Sequence, residues 1–328
     1  MIRSLFKEKK QFVSFLAPMV RYSRLPFRLL CLKCGVDVVY SPMFVAEGFI
    51  RSQKARDADF LTTQTEKDKL IVQFAACNAE ILTKASSIVA NYCSGVDLNC
   101  GCPQKWAMAE GYGSEMLNHP DIIQDCVRSV RCNIPNLPIS VKIRICISNR
   151  ETMKNAGKPK TDGEMEKDMF NGGDMTKTLE LVKVIENAGA DYITIHGRTC
   201  LNASASSSVS LEAIKMVKET ASIPVVANGD VFSLEKAIYT KEQTGVDGIM
   251  SARGLLQNPA FFTGCPRPPL SVFTDFYKLA VDYTLPFKLL HNHTMMMAFP
   301  LLSKSERQTL SMCNSPSMLF DICKELIW

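Results

Sequence analysis

The stretch from Asp97 to Lys105, DLNCGCPQK, sets a thiol between a glycine and a proline directly after a short apolar run containing Val96 and Leu98. Gly101 lets the backbone approach a flat ligand, and Pro103 fixes φ and removes a donor, so a stiff turn presents Cys102. Such a turn displays a reactive side chain. Cys100, two residues earlier and within the apolar run itself, is expected to face away from the site, which leaves the role to Cys102. Further polar residues close other apolar runs in the same way: Pro18 with Met19, Ser41, Gln73, Lys142 with Arg144, His196, Asn228 to Asp230, and Ser251 to Arg253.

The runs that must position these residues are short, rich in β-branched side chains and bounded by turn residues. They are FVSFLAP from Phe12, VDVVYSP from Val36, KLIVQF from Lys69, GVDLN from Gly95, ISVKIR from Ile139, DYITIH from Asp191, IPVVAN from Ile223 and DGIMSA from Asp247. Segments with helical spacing lie between them, such as AEILTKASSIVANY, TLELVKVIENAGA and SLEKAIYTKEQTG, with stop signals at Gly189 and Gly245. Alternating helices and near-continuous apolar strands imply a parallel sheet, and eight such units imply an α/β fold of the (β/α)8 TIM-barrel type. A doubly wound open sheet is the alternative. In a barrel the loops at the carboxyl ends of the strands converge on one mouth, which would gather the polar residues above.

Loops after the seventh and eighth strands of this architecture often bind phosphate. Asn228-Gly229-Asp230 and Ala252-Arg253-Gly254 occupy those places, with glycines that allow close approach and an arginine fork suited to phosphate oxygens. Gln73 carries the amide that the uracil-like edge of an isoalloxazine requires. Lys142, flanked by Val141 and Ile143, would bring an ammonium to the negative charge of a reduced flavin, and His196 would complete the donors around it.

The segments LAPMVRYSRLPFR, QFAA, DLNCGCPQKWAMAEGYGSEML, SVKIR, HGRT, VVANGD and GIMSARGLLQNPAFF, in this order over about the first 265 residues, resemble the tRNA-dihydrouridine synthases, with most likeness to the eukaryotic branch that acts on D-loop uridines 20a and 20b. The resemblance implies FMN-dependent reduction of uridine to 5,6-dihydrouridine, with NADPH or NADH as reductant. It implies that Pro18, Met19 and Val20 lie against the flavin, that Gln73, Lys142 and His196 bind it, and that Asn228, Gly229, Asp230, Ala252 and Arg253 hold its phosphate. Asn99, Arg144 and Arg198 are expected to meet the substrate. Cys102 would be the catalytic acid: hydride addition at C6 of the uracil builds negative charge at C5, where a proton must arrive. A free thiol with pKa near ~8.5 is mostly protonated at neutral pH and suits that role without a large shift.

A chain of 328 residues with 46% hydrophobic content can bury a barrel-sized core. No apolar run reaches the ~18 residues of a membrane span, and MIRSLFKEKKQF lacks the pattern of a secretory signal. A cytoplasmic or nuclear protein without membrane or DNA partners is expected, acting on tRNA as a monomer. The thirteen cysteines are scattered rather than spaced as a disulfide framework. Cys31 and Cys34 form a lone C-x-x-C among helix-core leucines, so no metal site is expected.

The formal charge of +5 decides little, but its clusters do more. Arg21, Arg24 and Arg28, Arg51, Lys54 and Arg56, and Lys7, Lys9 and Lys10 would favour a polyanion if they shared one rim. A uracil buried in folded tRNA must be flipped out to reach a barrel mouth. Tyr22, Trp106 and Tyr112 are stacking candidates, with core packing the expected use of Trp106. Beyond Pro269 the pattern turns helical, through SVFTDFYKLAVDYT, FKLLHNHTMMMAF and ICKELIW, dividing the chain into a catalytic part, residues 1–265, and a helical tRNA-binding part, 266–328. Met295 to Met297 and the pair His291 and His293 read as helix packing.

Two segments depart from the family pattern: 148–174 is long and polar and reads as a flexible loop, and CLNASASSSVS follows the HGRT motif, which puts substrate contacts from that loop in question. A flavin barrel acting on a free pyrimidine and a non-catalytic RNA-binding protein are the competing functions.

Overall fold

The computed structural model describes residues 2–9, 11–147, 173–201 and 208–327. Most of the 148–174 segment, part of the loop after HGRT, and Lys10 lie outside these residues.

Among the described residues nine strands form one parallel sheet: β1 (Val13–Leu16), β2 (Val38–Tyr40), β3 (Phe44–Val45), β4 (Leu70–Ala75), β5 (Gly95–Cys100), β6 (Ile139–Ile145), β7 (Tyr192–Thr199), β8 (Val225–Asn228) and β9 (Gly248–Ser251). The order β2-β1-β9-β8-β7-β6-β5-β4, closed by pairing of β2 with β4, is a (β/α)8 barrel, and β3 adds two residues beside the top of β4. All eight strands expected from the sequence are present, and the barrel rather than the open sheet is the result. Among the described residues no helix is long and apolar enough to cross a membrane.

Strand alternation sorts the side chains into two cores. Leu70, Val72, Phe74, Leu98, Cys100, Val141, Ile143, Ile193 and Ile195 point outward, under the helices. The helix Ala79–Val89 buries Leu82, Ala85 and Val89 there, and its first turn is capped by Asn78, whose side chain accepts from the Ile81 N–H. The barrel interior is a separate cluster of Val13, Phe15, Tyr40, Ile71, Tyr192, Val226 and Met250. The N-terminal helix Ile2–Glu8 plugs its lower end with Ile2, Leu5 and Phe6, the last stacked on Phe15 at 6.0 Å. Gly245, at φ 72°, ends the helix Leu234–Thr244 in the left-handed conformation that glycine adopts without strain.

Four helices follow the barrel: Leu270–Asp282, Phe287–Ala298, Lys304–Ser311 and Pro316–Leu326. The first two dock on the helix after β1. His293, 1% exposed, sits 4.5 Å from the Phe27 ring and 4.9 Å from Phe276, and donates from Nε2 to the Tyr22 carbonyl at 3.2 Å. Burial holds its imidazole down at about 3 and therefore neutral. Met297 is fully buried, so this region is helix packing, as its sequence suggests.

The three basic clusters do not all share a rim: those after β1 and β2 meet where Arg24 pairs with Asp59, at 2.6 Å, on the helix that carries Lys54 and Arg56, whereas the N-terminal one lies apart. Lys9 pairs with Asp37 at 2.8 Å beneath the N-terminal end of β2, the barrel end opposite the mouth. Arg28 is 2% exposed and doubly bonded to Glu66 at 2.8 and 2.6 Å. Arg56 donates to the Phe49 and Ile50 carbonyls. Arg21 and Lys54 are exposed.

Candidate active site

Strand register explains why distant residues meet at the mouth. Gln73, Asp97, Ser140 and Tyr192 are successive partners across β4, β5, β6 and β7, and form one inward-facing layer. Above it lie Asn99, Lys142 and Thr194, and above those Arg144, His196 and Asn228. Two residues along a strand return to the same face, so polar residues at alternate positions stack upward toward the opening.

The resulting cavity, about 440 Å³, is lined by Pro18, Val20, Gln73, Asn99, Cys102, Lys142, Arg144, His196, Asn228 and Ala252, among others. It shares His196, Asn228 and Ala252 with a second compartment of about 220 Å³ lined by Arg198, Gly229, Asp230, Arg253 and Gly254. Met19 is the exception among the residues expected at the flavin: it does not line the cavity but packs on the outer core, with its N–H donated to Ser23 Oγ at 2.9 Å.

Cys102 and Cys100 diverge because β5 ends at Cys100 and the turn that follows redirects Cys102; on an unbroken strand residues two apart would share a face. Cys100 is wholly buried under the helices, where burial raises its thiol well above the ordinary value, whereas Cys102 is half-buried at the cavity. The turn carrying Cys102 is fixed from both sides. Its N–H donates to Asn99 Oδ1 at 2.9 Å, as does that of Gly101 at 3.1 Å, and its carbonyl accepts from the Ser114 N–H at 2.9 Å. Gly113, at φ 63°, passes so close that a Cβ there would lie 2.5 Å from the Cys102 carbonyl oxygen.

The cavity wall is cationic. Burial, with the Arg144 guanidinium adding to it, lowers the Lys142 ammonium to about 8, against the opposing pull of Asp97 and Cys102. Arg144, brought down to about 10 chiefly by burial, donates from Nε to the Gly101 carbonyl at 2.7 Å and from a terminal nitrogen to the Thr199 carbonyl at 3.1 Å. It thus ties the thiol turn to the end of β7. His196 is pushed far below the usual imidazole range by burial and by Arg144, Lys142, Arg198 and Arg253 around it, so it is neutral.

Arg198, expected at the substrate, lies instead in the second compartment. It is 3% exposed, 3.3 Å from His196 Nε2, and paired with Asp230. Asp230 also accepts from Arg253 at 2.8 Å, and Arg253 lies over the Phe232 ring at 5.3 Å. The Asp230 carboxylate therefore holds two guanidiniums rather than facing an anion itself. Its φ of 49° and that of Gly229, 128°, make a tight turn, and a Cβ on Gly229 would come within 2.6 Å of Val209.

Trp106, expected in the core, is 45% exposed at the rim, with its indole N–H donated to Gln104 Oε1 at 2.7 Å. Tyr112 is buried and Tyr22 stands edge-on to His293, so neither is displayed for stacking. Asp97, to which the sequence pattern assigns no role, lies fully buried under the cavity.

These two joined compartments fit FMN by the chemistry of their donors: two guanidiniums against one carboxylate for a phosphate, and an ammonium with amide groups for a ring. Polar clefts of this kind, at the carboxyl ends of the strands of a parallel barrel, are where TIM-barrel enzymes carry their active sites. The family model described as dihydrouridine synthase (Dus) matches residues 15–163 and 169–298, and the chain belongs to that family. Among its relatives, the mouse protein named as a tRNA-dihydrouridine(20a/20b) synthase-like enzyme is 41% identical over 95% of this chain and 88% of its own length. The Schizosaccharomyces pombe tRNA-dihydrouridine(20a/20b) synthase is 40% identical over 92% of this chain and 84% of its own. A rat tRNA-dihydrouridine(16/17) synthase-like protein is 30% identical over 84% of the chain and 58% of its own length. In fold alone, the solved structure of a 2-naphthoyl-CoA reductase complex superposes with a TM-score of 0.54 at 10% identity, over 83% of this chain and 53% of that one.

Proposed function

We propose that this chain reduces the C5=C6 bond of a D-loop uridine in tRNA, at position 20a or 20b, with FMN as cofactor and NADPH or NADH as reductant. The observation that carries this reading is the Cys102 turn, locked by Asn99 over a cationic cavity, in a chain of this family. When bound, FMN supplies the hydride that C6 of the uracil accepts.

Around that chemistry the chain's own residues bind, orient and move one proton. Cys102 gives its thiol proton to C5 and, being half-exposed, recovers one from solvent. Lys142 holds positive charge where electrons accumulate, and Gln73 offers amide contacts at the cavity floor. Arg253, Arg198 and the backbone of Asn228 to Asp230 grip the phosphate, with Ala252 and Gly254 giving room. Pro18 and Val20 supply an apolar wall, while Arg144 and Asn99 frame the thiol turn. Residues 266–328 contact the tRNA outside the cavity, the protein acting as a monomer in the cytoplasm or nucleus.

Because the Lys142 ammonium is held down to about 8, its charge is present below that pH and is lost as pH rises through it. Dihydrouridine formation is expected to fall above pH ~8 as the Lys142 charge is lost, and Lys142→Met to slow the reaction about 100-fold at neutral pH. A pH profile of single-turnover rates for both proteins checks it.

The function itself is tested on tRNA from cells lacking the protein, with dihydrouridine mapped position by position. Loss at 20a and 20b, restored by the yellow purified protein with NADPH or NADH, is the expected result. An unchanged map, or turnover of a free pyrimidine but not of tRNA, overturns the reading.

A further inference from the structure

Beneath the cavity, a run of hydrogen bonds with a fixed direction ends on the backbone of Cys102. Gln73 Nε2 donates to Asp97 Oδ2 at 2.8 Å, Asn99 Nδ2 donates to Gln73 Oε1 at 2.9 Å, and Asn99 Oδ1 accepts the N–H groups of Gly101 and Cys102. A carboxylate only accepts, so it determines which end of the Gln73 amide turns toward it. That leaves the Gln73 oxygen for Asn99, and the Asn99 oxygen for the thiol turn. Without the acid, Gln73 loses its anchor and can move, and Asn99, whose oxygen the two N–H groups of the turn still hold, loses the fixed partner that keeps the turn in place.

Apart from its pull on Lys142, Asp97 has no other evident use. It is fully buried, takes no part in the proton transfer, and an acid in such a place is costly unless its bonds are needed. Its other oxygen accepts from Ser140 Oγ at 2.6 Å, and Ser140 lies beside the Tyr40 hydroxyl, which is 2.6 Å from that of Tyr192. Burial raises the acid to about 7. A proton acquired there is accommodated on the Ser140 side, where a hydroxyl can reverse its role, so the direction of the Gln73 arm is kept.

We propose that Asp97 is a positioning residue for Cys102, acting through Gln73 and Asn99 to hold the thiol turn in its reactive geometry. This rests on the reading of Cys102 as the acid. It predicts that Asp97 governs the step that consumes the thiol proton and not the reduction of the flavin by nicotinamide, which needs no thiol.

Two measurements on the FMN-loaded protein test it: the alkylation rate of Cys102 by iodoacetamide, mapped by peptide mass against exposed Cys132 in the same digest, and the two half-reactions followed separately. Asp97→Leu is expected to raise Cys102 alkylation about three- to tenfold, the ratio for one net hydrogen bond. It should slow dihydrouridine formation by reduced enzyme at least about tenfold while flavin reduction stays within about twofold. Asp97→Asn, which can still accept from Gln73 and donate to Ser140, is expected to restore both readouts. Asn99→Asp keeps an acceptor for the turn but sets oxygen against oxygen at Gln73, and should behave like the leucine variant even if that one fails to fold. Unchanged alkylation and dihydrouridine formation in Asn99→Asp overturns the proposal, as does an equal loss of both half-reactions in Asp97→Leu. If the wild-type protein forms no dihydrouridine, the functional reading fails, and the alkylation arm still decides the hydrogen-bond chain.

Discussion

Cys102→Ala is expected to purify with FMN bound and to accept electrons from NADPH, yet to form dihydrouridine about 10² to 10⁴ times more slowly than the parent. The turn is held by main-chain bonds, from the Cys102 N–H to Asn99 and from the Ser114 N–H to its carbonyl, none of which involves the sulfur. Removing the thiol therefore deletes a proton source and little else. Mass spectrometry of tRNA after a single turnover reads the outcome, and near-normal product from the alanine variant would remove Cys102 from the mechanism.

The second large effect concerns stability. Arg28 and Glu66 are both buried, and the guanidinium also donates to the Ser23 and Leu61 carbonyls at 2.8 and 2.7 Å. Arg28→Met strands the Glu66 carboxylate, leaves two carbonyls without their donor, and is expected to cost about 3–5 kcal/mol. Adding Glu66→Leu should recover much of that loss, because a buried ion pair replaced on both sides is often nearly neutral. Denaturant midpoints of the single and double variants measure the difference, and an Arg28→Met midpoint equal to the parent's would show the pair to be idle.

The barrel is legible in the sequence because parallel strands covered on both faces keep uninterrupted apolar runs, and the polar residues interrupting them, Gln73, Lys142 and His196, mark the inward face near the top. Short β3, two residues long, falls below any periodic signal. The helix Lys304–Ser311 is too polar to announce itself by hydrophobic spacing, although the Ser303 and Glu306 capping box, three residues apart, was there to be read. Arg28 resembles a member of a surface cluster until Glu66 is brought against it from 38 residues away, a pairing that no local pattern encodes. Arg198 shows the same limit at the site: two residues past His196 it belongs to the inward face, but only Asp230 determines that it turns to the phosphate end. Asp97 is an opposite case. Its spacing of two from Asn99 places both on one face, and an acid inside an apolar strand was the available signal.

The imidazole wedged among Phe27, Tyr22 and Phe276 makes the junction between barrel and trailing helices sensitive to acid. Its proton affinity in the folded chain lies far below that of a solvated histidine, so the unfolded chain takes up a proton first. Stability from this contact is complete above pH ~6.5 and drains away as the medium is acidified toward 3. The Tyr22 carbonyl that receives its bond belongs to the loop carrying Pro18 and Val20, so loosening at low pH would begin beside the cavity wall and not at the remote end of the molecule.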